Sequence, residues 1–169
     1  MKYILSDDKN IWKSFISSLD EKNFDIYHTY EFNNIYNKKN KILFFLSKEK
    51  NNYIFFPILK KKIKETGYFD LETPYGYGGP ITNCPEDKNF LNLSIQKFKE
   101  LALKEKIIAG IFRFSPYISK NCINNIQSID KIYSCKTVIL NINNEKNYEN
   151  IFKSYNKDIK TRIKKNKNS

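Results

Sequence analysis

His28 is the one histidine of this chain, and the other residues able to do chemistry are three cysteines (Cys84, Cys122, Cys135) and scattered carboxylates. An imidazole titrates near neutral pH and serves as a general base or holds a substrate in place. No Ser or Cys here has the strained-turn surroundings of an activated nucleophile, so a structural or substrate-positioning role is the expected one for His28 and general base the alternative. Asp70 and Glu72 alternate along a strand and therefore share a face. Paired carboxylates can exchange protons with a substrate, but beside so many lysines they read as solvated charges. One His without an acidic triad at short spacing builds no metal site. The cysteines are odd in number and lack a Cys-x-x-Cys pair, as expected of reduced thiols in a cytoplasmic protein.

Residues 74–80, Pro-Tyr-Gly-Tyr-Gly-Gly-Pro, are the other candidate. The chain has only five glycines and five prolines, and this stretch concentrates them. Glycine serves where φ must be positive or backbone must approach another group closely. Tyr75 and Tyr77 add flat apolar faces and hydroxyls. The stretch therefore reads as an aromatic-walled ligand-contact loop or as a tight connection between strands. It is no dinucleotide fingerprint, because Pro80-Ile81 continues it as extended chain, and no G-x-x-x-x-G-K phosphate loop exists.

These residues need a framework, and 169 residues can bury a real core in one domain. No apolar run approaches a membrane span, and Asp7-Asp8 come too early for a secretory signal. The net charge is +12, yet only Arg113 and Arg162 interrupt the lysines among the 30 basic residues. Lysine supplied by compositional drift argues weakly for a nucleic-acid reader, which uses Arg for bidentate contacts. The charge still favours anionic partners: phosphates, nucleotides or an anionic membrane surface.

The pattern predicts a strand at 2–5 and a helix capped by Ser6, with Ile11, Trp12, Phe15, Ile16 and Leu19 on its apolar face. A short helix follows over 30–36. Apolar runs at 41–47 and 53–60 form a hairpin, in which Pro57 calls for an edge or a bulge. A strand at 68–72 feeds the tyrosine turn. Pro85-Glu86 opens a long helix to about residue 106, burying Phe90, Leu91, Ser94, Phe98, Leu101 and Ala102. A buried strand at 107–114, a short helix at 119–127, a strand at 133–142 and a basic helix at 148–165 complete the order. The fold class is α/β (α+β): a mixed, largely antiparallel sheet flanked by helices. The domain spans 1–145, and residues 146–169 form the basic helix. Lys153, Lys157, Lys160 and Lys164 share one of its faces, which reads as a nucleic-acid or anionic-membrane stripe or as a solvated surface.

Several of these pieces together resemble the N-terminal part of the FemAB-like proteins. They are Trp12 in its helix, Tyr27-His28-Thr29-Tyr30-Glu31-Phe32, Ile54-Phe55-Phe56-Pro57 and Thr73-Pro74-Tyr75-Gly76-Tyr77-Gly78-Gly79-Pro80. Ile111-Phe112-Arg113-Phe114-Ser115-Pro116, residues 137–142 and Ile163-Lys164-Lys165 extend the likeness over nearly the whole chain. The resemblance implies a single GNAT-like (acyl-CoA N-acyltransferase fold) subdomain, the first half of a two-part acyltransferase. It implies aminoacyl or acyl transfer from acyl-CoA or aminoacyl-tRNA to an amine of a nucleotide- or lipid-linked cell-envelope precursor. Tyr75, Tyr77, Gly78 and Gly79 would then contact the acceptor, with His28, Tyr30 and Arg113 in the groove and Arg113 facing anionic groups. No cofactor is bound on this reading, and the site is cytoplasmic, at the inner membrane surface. The bridge-forming members commonly have Pro-Arg-Gly-Pro at this turn and an Asp shortly after. Tyr77-Gly78-Gly79-Pro80 and Asn83 depart from that pattern, away from a muropeptide acceptor and toward the polysaccharide-associated acyltransferases. The family's second half, or another copy of the chain, would complete the groove, so the expectation is weak or no acceptor binding and no turnover by these residues alone. A non-catalytic scaffold is the remaining alternative.

Overall fold

Two neighbouring apolar runs pair into a hairpin, and a helix packs against each of its faces. The computed structural model describes residues 1–118, 120–132, 152–153 and 155–167. Two compact units divide the chain, Met1–Ile132 and Tyr133–Ser169. The first contains β1 (Lys2–Ser6), α1 (Lys9–Ser17), two 3-10 turns (Glu21–Asn23 and Ile26–His28) and α2 (Tyr30–Asn34). It continues with β2 (Lys41–Glu49), β3 (Asn52–Lys62), β4 (Phe69–Glu72), β5 (Ile81–Thr82), α3 (Lys88–Lys104), β6 (Ile107–Ile111) and α4 (Lys120–Ile123). The second unit contains α5 (Lys157–Lys167). The expected strand at 133–142, the first residues of the expected 148–165 helix and the boundary at 145/146 lie outside the described residues.

The sheet runs β1-β2-β3-β4-β6, with β5 also pairing to β3. Every pairing is antiparallel except β4 with β6, so the sheet is mixed and largely antiparallel, as the strand pattern predicts. Side chains alternate across β2 and β3, and both sets are apolar. Leu43, Phe45, Ile54, Phe56 and Ile58 pack with Phe90, Leu91, Ile95 and Phe98 of α3. Ile42, Phe44, Leu46, Phe55 and Leu59 pack with Trp12, Phe15 and Ile16 of α1. An antiparallel hairpin buried on both sides reads as a continuous apolar run rather than an alternating one, and 42–46 and 53–59 do so.

Pro57 sits in a central strand, not at an edge or a bulge. Tyr53 directs both its N–H and its carbonyl toward the β5 side, to Asn83 Oδ1 and from Thr82 Oγ1. Backbone direction alternates along a strand, so the Pro57 nitrogen points to that same side. There β5 ends its pairing at Phe55 and β4 begins at Leu59, leaving no ladder partner to be missed.

Local differences from the sequence reading have identifiable causes. Asp8, not Ser6, caps α1, its Oδ1 accepting the N–H groups of Asn10 and Ile11 at 2.8 and 3.1 Å. Ile11 accordingly points out. Asp87 caps α3 by accepting the Phe90 N–H at 3.0 Å, which places Pro85 before the helix and buries Ile95. α2 stops at Asn34 and α4 is confined to Lys120–Ile123. β6 is shorter and more exposed than expected. Past Ile111 its backbone bonds to the tyrosine turn instead of a strand, and Ile108 and Ile111 are 58% and 68% exposed.

Candidate functional site

The tyrosine turn leaves β4 at Glu72 and returns at β5, and both of its feet rest on Arg113. Thr73 is fully buried, and its Oγ1 accepts the Arg113 N–H at 3.1 Å. Gly79 N–H donates to the Arg113 carbonyl at 3.0 Å. The turn is thus closed across one residue of the 111–114 segment, and the Arg113 guanidinium lies back over its foot, donating to the Thr73 carbonyl at 3.4 Å. Gly79 is required for this approach: a Cβ would lie 2.8 Å from Phe114 Cα and 2.9 Å from the Arg113 carbonyl oxygen. Gly76 is required at the crest, where φ is +102°. Gly78 settles over Pro57, inside the unpaired gap of β3.

The 3-10 turn Ile26–His28 supports the crest from beneath. Tyr27 lies against Gly76 and meets Tyr77 edge-on with ring centres 6.1 Å apart. Asn33 of α2 is buried and donates to the Tyr27 and Thr29 carbonyls at 2.9 and 2.8 Å. His28 is fully buried, its carbonyl accepting Trp12 Nε1–H at 2.8 Å. Its ring bridges the Asp25 N–H (3.1 Å, to Nδ1) and the Gly79 carbonyl (2.9 Å, at Nε2). Burial holds its pKa below the ordinary value. With both nitrogens engaged by backbone, His28 acts here as a positioning residue for the turn.

The surface this machinery presents is aromatic. Tyr75 is 80% exposed and Tyr77 40%, whereas Gly78, Gly79 and Pro80 are buried, so an approaching molecule meets phenol rings rather than glycine backbone. Arg113 is exposed alongside. Tyr30 is not brought to this surface: its ring packs edge-on against Trp12 and its hydroxyl donates to Asn34 Oδ1 at 3.2 Å. Thr73, Tyr27 and Asn33 were not singled out from the sequence as site residues. Nothing local marks Thr73, because its role depends on a residue forty positions on. A broad open hollow of about 550 Å³ lies along α1, lined by Asn10, Ser14, Phe15, Ser18 and Lys48 among others, away from the turn.

Cys135 lies outside the described residues, and other candidate groups have structural roles or environments. Glu72 ion-pairs with Lys61. Burial pushes the Cys122 thiol up to about 11 and raises that of Cys84, the opposite of an activated thiolate. Among the described residues no group of three or more His, Cys, Asp or Glu is placed to hold a metal ion. Nor is any helix among them long and apolar enough to cross a membrane. In α5, Lys160 turns its ammonium back to the Lys153 carbonyl at 2.7 Å, so part of the lysine stripe bonds to its own chain.

No family model, curated protein or solved structure matches this chain.

Proposed function

We propose that the chain supplies the acceptor-holding part of an acyltransferase acting on an amine of a nucleotide- or lipid-linked cell-envelope precursor. The reading is supported by one observation above the rest: two exposed tyrosines on a turn whose backbone is fixed at every contact. Thr73 and Gly79 hold its feet, Tyr27 its crest and His28 its return. Rigid aromatic faces bind sugar or base rings at small entropic cost, because the protein side is already ordered. Arg113 offers a charged donor for phosphate or carboxylate groups.

In this chemistry the acceptor nitrogen attacks an activated carbonyl, the leaving group departs with the bonding pair, and the amine sheds a proton. Holding the amine in line supplies much of the acceleration. The donor and the group that takes the proton belong to a second α/β unit or another copy of the chain. His28 cannot take that proton while it holds Gly79.

The test is a calorimetric or NMR titration of the full chain with a uridine-diphosphate-linked amino sugar. Binding that weakens at least tenfold in Tyr75→Ala/Tyr77→Ala and in Arg113→Ala, with unchanged melting temperature, supports the reading. Binding unaffected by these changes, or no binding by the chain either alone or with a second α/β acyltransferase half added, overturns it.

A further inference from the structure

The imidazole of His28 is gripped by backbone groups of opposite kind. Asp25 offers its Nδ1 an N–H, so Nδ1 must carry the lone pair. Nε2 then carries the proton, which it donates to the Gly79 carbonyl. One tautomer of one charge state satisfies both partners.

We infer that His28 is an acid-sensitive latch: as a neutral imidazole seated between Asp25 and Gly79 it ties the Tyr75–Pro80 turn to the 3-10 turn Ile26–His28, and on protonation the ring must leave that buried seat, which frees the turn. An imidazolium has N–H groups at both nitrogens, so Nδ1–H would face the Asp25 N–H, donor against donor, at a residue with no exposed surface. The surrounding groups do not offset this. From α1 comes the neutral indole of Trp12, from the turn the Gly79 carbonyl, and from α2 the neutral amide of Asn33. Residues 53–59 of β3 are uncharged. The Gly79 carbonyl, the Asp25 backbone and the Asp25 carboxylate favour the imidazolium, and burial outweighs all three. The Lys13–Glu31 pair lies on the exposed side of α1 and α2, and the Arg113 guanidinium is engaged with Thr73.

Opening the turn frees the imidazole to titrate at its ordinary value. The opening equilibrium therefore gains up to about tenfold per pH unit below about 6.5, down to the value of the closed state. The latch is read out without any ligand, so its failure is separate from failure of the acyl-acceptor reading.

Amide hydrogen exchange of the full ¹⁵N-labelled chain between about pH 5 and 7.5 tests it, with Gly79 N–H as reporter because that proton bonds to Arg113. After correction for intrinsic exchange, Gly79 opening should rise as pH falls below about 6.5, by up to about tenfold per unit, and exceed that of Leu91 in α3. The slope should vanish in His28→Gln, which keeps a donor for Gly79 but cannot titrate. Imidazole ¹⁵N shifts at neutral pH should report the Nε2–H tautomer. A flat Gly79 profile, the same slope in His28→Gln, an Nδ1–H tautomer, or Gly79 opening only together with Leu91 would each overturn the latch. Should His28→Gln not fold, the wild-type slope and tautomer still decide.

Discussion

Gly76 stands so close above the ring of Tyr27 that a Cβ there would lie 2.1 Å from Tyr27 Cε1. The crest of the aromatic turn is shaped by this contact as much as by the φ of +102°. Gly76→Ala meets both obstacles and should cost about 1–3 kcal/mol in urea denaturation. A Tyr27→Ala/Gly76→Ala cycle should recover the steric share and leave the backbone share.

The two other informative glycines bracket that result. Gly79→Ala drives a Cβ into the Phe114 and Arg113 backbone, which cannot step aside as a side chain can. It should destabilise by roughly 2–4 kcal/mol and free the Gly79 amide for exchange. Gly67 has open space around its Cβ position, and Gly67→Ala should stay within about 0.5 kcal/mol of wild type.

Trp12→Phe keeps most of the ring but leaves the buried His28 carbonyl without its donor. A loss of roughly 2–4 kcal/mol by chemical denaturation is expected, from the vacant ring volume plus the unpaired carbonyl. A smaller Tyr77 near-ultraviolet signal should accompany it if the 3-10 turn relaxes under the crest.

Acid should weaken the fold in two stages. His28 has a lowered pKa when folded, so the unfolded chain binds the extra proton first, and stability falls as pH drops below about 6.5. The carboxylates of Asp7, Glu31 and Glu105 are also lowered, by Lys41, Lys13 and Lys60 respectively. Their contribution is present above about pH 4 and is lost as pH falls through their folded values. Denaturation midpoints across this range should show both stages in wild type and only the lower one in His28→Gln.

Lys60 is nearly buried, donates to Glu105 at 2.8 Å and lies 4.2 Å from the centre of the Phe69 ring. Glu105→Ala strands that ammonium and should cost more than Lys60→Met, which replaces it with an apolar chain of similar length and stays within about 1 kcal/mol. The opposite order in thermal denaturation would refute this account.

The framework was legible where the chain speaks locally. Polar residues 48–52 between two apolar runs specify the β2–β3 hairpin, and the 3.6-residue spacing of Trp12, Phe15 and Ile16 specifies α1. Pro57 shows where local reading ends, because its tolerance depends on where β4 and β5 stop. The turn was recognisable from its glycines, but which groups it exposes was not. Gly78 and Gly79 are buried because Pro57 and Phe114 come up beneath them. A structural role for His28 was one reading of the sequence, but its partner, Gly79, lies on a distant loop that no local signal connects to it.

Phe44 and Phe45 are adjacent, yet each is wholly enclosed in a different apolar layer, one with α1 and the other with α3. The short Lys50–Asn51 bend sets the frame for both layers together, and Lys50 adopts φ 54° there. Deleting one residue from this bend would exchange the occupants of the two compartments along the whole strand. Neither compartment can therefore be rebuilt without refitting its neighbour, and evolutionary drift on one side of the sheet must be answered on the other.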